Sequence, residues 1–83
     1  MWAVVCVAAY DYTLLGVRLF NDFDKAARFV REEAVATYEK LSQDGENVSV
    51  HCNSGYAEVV VNGNVDYFWD TAFGTELVID NRD

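Results

Sequence analysis

The spacing of apolar residues divides this chain into one helical stretch set between strand-like runs. Phe23, Ala26, Ala27, Val30, Ala34, Tyr38 and Leu41 recur at i, i+3, i+4 and i+7, the mark of a single buried helical stripe. Asn21 or Asp22 is placed to cap its start, and Asp24 in the first turn complements the helix dipole. Gly45 closes it, with Lys40 in the last turn. Opposite the stripe, Asp24, Lys25, Arg28, Arg31, Glu32, Glu39 and Lys40 form a mixed-charge face suited to solvent.

The rest of the chain reads as strand. Residues 2–9 and 14–20 make two runs joined through Tyr10-Asp11-Tyr12-Thr13. After the helix come runs at 48–53, 56–62, 65–70 and 76–80. Ser54-Gly55 and Asn62-Gly63 mark tight connections, and Asn-Gly favours a hairpin because both residues tolerate positive φ. Tight turns join neighbours antiparallel. The predicted fold is therefore α+β: a single helix packed on one face of an antiparallel sheet, in the order ββαβββ. At 83 residues the chain is expected to be one domain, residues 1–83, with 81–83 as a frayed tail.

Such a fold leaves one sheet face without a helix, and strand alternation says what lies on each side. Ala57, Val59 and Val61 are expected to point inward, with Val65, Tyr67 and Trp69, and Leu77 and Ile79. The outward set is then Glu58, Asp66, Asp70, Glu76 and Asp80, mixed with Tyr56, Val60, Phe68 and Val78. Five carboxylates share that face with no base. Like charges side by side destabilise a sheet, so a partner explains this arrangement better than folding does.

Overall charge sharpens the picture. Fourteen acids face six bases, for a net charge of −8. From Asp44 onward there are eight acids and one base, Arg82, so this half carries nearly all of the excess. Repulsion from phosphates argues against direct binding of nucleic acid or an anionic membrane, and a basic protein is the natural complement. Acidity that serves only solubility is the plain alternative.

Candidate chemistry is sparse. His51 and Cys52 are adjacent on a strand and must point to opposite faces, so they cannot converge on one ion or proton. Cys52, in phase with Val48 and Val50, is expected to be a core thiol, as is Cys6. Both are expected to be reduced, since two cysteines outside a Cys-x-x-Cys pair are too few for a secreted disulfide scaffold. Asp66 and Asp70 lie about 13 Å apart along a strand and cannot share a cation. No phosphate loop or nucleophile elbow occurs. The expectation is a non-enzymatic protein with no cofactor and no metal. The apolar run at 2–10 has no basic flank and is broken by Asp11, so it reads as a strand, and a cytoplasmic location is expected.

In size, acidity, lack of proline and element order, the whole chain resembles phage-encoded inhibitors of bacterial defence, the small anti-CRISPR proteins and DNA-mimic antirestriction proteins. The resemblance is one of class and carries no motif matched residue by residue. It implies inhibition by occupancy in the host cytoplasm. Carboxylates would fill a cationic groove that normally holds nucleic acid, on a CRISPR effector or a restriction component. The partner-binding residues would be Glu58, Asp66, Asp70, Glu76, Asp80, Tyr56 and Phe68. A homo-oligomeric accessory or structural domain, associating through Val60, Phe68 and Val78 on the exposed face, is the competing expectation. The chain would accordingly act as a monomer or a homodimer.

Overall fold

Local turn chemistry sets each chain reversal in this computed structural model, which describes residues 1–73. Its elements are β1 (Trp2–Ala8), β2 (Thr13–Phe20), α1 (Phe23–Gln43), β3 (Val48–Asn53), β4 (Tyr56–Val61) and β5 (Asn64–Phe73). Between β1 and β2, Tyr12 adopts φ 58°, and the Asp11 carboxylate accepts the Thr13 N–H at 3.1 Å. Asn62 and Gly63, at φ 52° and 87°, form the two-residue turn between β4 and β5. Gly55, at φ 72°, turns β3 into β4 where an added Cβ would stand 3.0 Å from the Phe23 ring.

The helix is capped as its sequence predicts. Asp22 is extended, and its carboxylate accepts the Asp24 N–H at 2.7 Å. At the far end, the Asp44 N–H donates to the Leu41 carbonyl and the N–H of Gly45, at φ 85°, donates to the Ser42 carbonyl, each at 3.1 Å. Ala26, Val30 and Ala34 are its fully buried residues. Two alanines in that stripe let the helix backbone approach the sheet closely.

All strand pairs are antiparallel, and the order across the sheet is β2-β1-β5-β4-β3. The last described strand thus lies between the first and the fourth, and the helix crosses one face of the sheet. Ala57, Val59 and Val61 of β4 and Trp69 of β5 meet the helix, as their alternation predicts. With Val4, Ala26, Val30 and Ala34 they form the core. Aromatic edges close its flanks: Trp2 meets both Phe23 and Phe73 at 4.9 Å between ring centres, and Phe20 meets Phe29 at 5.3 Å.

Three features depart from the sequence reading. Strand β5 runs to Phe73 rather than stopping at Asp70. Val65 does not point inward: it pairs with Val60, the next pair is Val59 with Tyr67, and Asp66 is the extra residue of a bulge. That slip moves Val65 to the outer face, where it is 37% exposed. Cys52 is exposed, because it lies at the far end of β3, the marginal strand of the described sheet, beyond Val48 and Val50, which pack against the core. The run at 76–80, including Leu77, Val78 and Ile79, lies outside the described residues.

Candidate interaction face

Pairing register assigns the helix-free face residue by residue, because directly paired residues share a side. On β5, Phe68 and Asp70 pair with Val7 and Val5 of β1. Phe68 pairs on its other side with Glu58, which pairs in turn with His51 of β3. On the far flank, Val5, Val7 and Ala3 pair with Val17, Leu14 and Leu19 of β2. One half of the face, over β5, β4 and β3, is therefore polar and acidic. The other half, over β1 and β2, is apolar.

Four of the expected partner-binding residues come together in the acidic half. The Tyr56 hydroxyl donates to Glu58 Oε1 at 3.1 Å, and the Tyr56 ring stacks on Phe68 with centres 6.4 Å apart. Burial, the bond to Glu58 and the nearby Glu58 and Asp70 charges all push the Tyr56 hydroxyl above its usual range. Glu58, Tyr56 and Phe68 are half-buried, and Asp70 is exposed. Asp66 stands apart at the bulge. Its carbonyl accepts the Ala9 N–H at 2.7 Å, and its charge acts on Tyr67. Tyr67, raised first by burial, then by Tyr10, Asp66 and Cys6, belongs to the helix side. Glu76 and Asp80 lie outside the described residues.

The distribution of bases is as informative as that of acids. Lys25, Arg28, Arg31 and Lys40 are all on α1. Arg18, on β2, pairs with Val4 of the core and lies over the Phe29 ring at 5.1 Å, so it too faces the helix side. Among the described residues, no lysine or arginine stands on the helix-free face.

Sequence reasoning passed over the apolar half. Leu14, Val17 and Leu19 are 53%, 46% and 63% exposed, each paired with an apolar residue of β1. The signal was available in β2, where Val17 and Leu19 alternate with Gly16 and Arg18. A contiguous apolar area bordered by charge is the usual composition of a protein-docking surface.

No family model matches the chain, and neither the curated proteins nor the solved structures contain a match. Among the described residues there is no group of histidine, cysteine and acidic side chains able to hold a metal. No described helix is long and apolar enough to cross a membrane.

Proposed function

We propose that this chain is a non-enzymatic binding protein whose helix-free sheet face occupies a basic surface of a partner protein, one that ordinarily holds nucleic acid. The observation that carries the reading is the absence of lysine and arginine from the helix-free face among the described residues, whereas on α1 four bases stand among four acids. All five described lysines and arginines lie on the helix side, while Glu58 and Asp70 flank the Tyr56–Phe68 stack on the other, with His51 paired to Glu58. A cationic surface meeting that face encounters no repulsion. Phe68 supplies an aromatic anchor at the border between the acidic and apolar halves, where desolvated rings contribute most. By the resemblance in class, the partner is a CRISPR effector or restriction component, and binding displaces its nucleic acid.

The apolar half favours a second reading, in which a second copy of the chain covers Leu14, Val17 and Leu19. Sedimentation equilibrium in low and high salt separates the two. Self-association through apolar side chains persists or strengthens as salt rises, whereas binding to a basic partner weakens steeply. The direct test immobilises the chain, applies a bacterial lysate and elutes with a salt gradient, beside the double variant Glu58→Gln, Asp70→Asn. A partner that elutes early from the variant, and that loses bound nucleic acid when free chain is added, supports the reading. A partner retained equally by both forms overturns it.

A further inference from the structure

On the opposite side of the sheet, the helix leaves part of the surface uncovered. It leans toward β3 and β4. Between its C-terminal half and the β1–β2 flank lies an open cleft of about 470 Å³, within the range of small-molecule sites. Val4, Cys6 and Trp69 line it from the sheet, and Phe29 and Leu41 line it from the helix.

Three observations give this cleft a chemical preference. Trp69 is 2% exposed, and its buried Nε1–H has no acceptor among the described residues. That nitrogen is closed off within the fold, so what Trp69 offers the cleft is an apolar ring. Arg18 and Lys40 also line the cleft against one carboxylate, Glu33, in a chain whose net charge is −8. Around this cleft the bases outnumber the acids. The Thr37 hydroxyl is already committed, donating to the Glu33 carbonyl at 2.9 Å. Finally, Gly16 lines the cleft, and a Cβ built there meets nothing within 4 Å. The space is real, and it is apolar below and cationic at its rim.

We propose that this cleft binds an amphipathic monoanion, a carboxylate carried on an apolar chain or ring. The apolar body covers Val4, Cys6 and Trp69, and the carboxylate supplies the negative charge that Arg18 and Lys40 favour. Because the site is on the helix side, it is independent of the proposed docking face, and either can fail alone.

The test uses the full chain, with decanoate as probe and decyltrimethylammonium as a cation of matched chain. Calorimetry measures affinity, and nitrogen–proton correlation spectra follow the two indole N–H signals. Decanoate should shift the Trp69 signal and bind at least about tenfold more tightly than the cation. Gly16→Leu, which fills the cleft, should abolish binding while leaving the thermal transition in place. The double variant Arg18→Gln, Lys40→Gln should weaken it by about tenfold or more. No movement of the Trp69 signal, equal affinity for the cation, or undiminished binding by Gly16→Leu would each overturn the proposal.

Discussion

The two faces of one sheet differ in what their apolar residues are for. On the helix side, Val4, Val59 and Trp69 are at most 2% exposed, and their burial stabilises the fold. On the other side, Leu14, Val17 and Leu19 are about half exposed, although burying such a side chain is worth about 1.5–3 kcal/mol. Strand β4 carries the contrast within six residues: Ala57, Val59 and Val61 are buried, and Glu58 and Val60 between them are not. The covered face explains why the chain folds. The helix-free face carries apolar area for which folding alone gives no reason.

The largest difference between the faces should appear when the same charge is placed on each. Val30→Asp or Val59→Asp puts an unpaired carboxylate among fully buried residues, and should cost about 3 kcal/mol or more, enough to unfold a small domain. Val17→Asp, on the helix-free face, should change stability by less than about 0.5 kcal/mol. Urea denaturation of the three variants measures both. A comparable loss at Val17 would mean that something covers that face after all.

Backbone geometry offers a smaller contrast, between a turn and a strand. Gly55→Ala must hold a side chain at φ 72° with its Cβ 3.0 Å from the Phe23 ring, and should cost more than about 1 kcal/mol. Gly16→Ala meets open space in a strand and should be neutral or stabilising by a few tenths of a kcal/mol. Equal effects on the denaturation midpoint would show that Phe23 gives way without loss.

What could be read in advance was what is local. The helical stripe, the Asp22 cap and the Asn62-Gly63 turn each depend on residues close in sequence, and each is present. The alternation of β4 predicted both of its sides. Alternation failed at Val65, because a bulge at Asp66 is a property of how β5 fits β4, not of either strand alone. It also failed at Cys52, whose phase is inward but whose strand ends the described sheet order. Strand order is set by contacts distant in the chain. For that reason the sequence could propose an acidic face without showing that Glu58 and Asp70 gather at the Tyr56–Phe68 stack while Asp66 stands apart.

The two thiols turn that difference between edge and centre into a rate. Cys52 is exposed and should react quickly with a thiol reagent in the folded chain. Cys6 lies on β1, between β2 and β5, and burial followed by the Glu33 charge pushes its thiol above the ordinary range. Its labelling should be slow in native buffer and should accelerate on denaturation. Mass spectrometry of the peptides containing each cysteine resolves the two rates. Rapid native labelling of Cys6 would show that the cleft it lines leaves its thiol unshielded.

The smallest expected effect lies within the acidic half of the helix-free face and concerns pH. Burial, and then Glu58 and Asp70, disfavour ionised Tyr56, so the folded chain keeps that proton longer than the unfolded chain does. Its contribution to stability is therefore present in full below the unfolded value, near pH 10, and is lost as pH rises through the higher folded value. Tyr67 contributes a loss of the same sign. Tyr56→Phe should remove part of this alkaline decline while costing about 0.5–1.5 kcal/mol near neutral pH, through the lost bond to Glu58. Glu58→Gln should shrink the decline as well, because it removes the nearer negative charge and leaves an acceptor in its place. Chemical denaturation repeated between neutral pH and pH 11 measures both slopes. If neither substitution changed the alkaline slope, Tyr56, Glu58 and Asp70 would not form one electrostatic unit, and the acidic half would be reduced to separate charges.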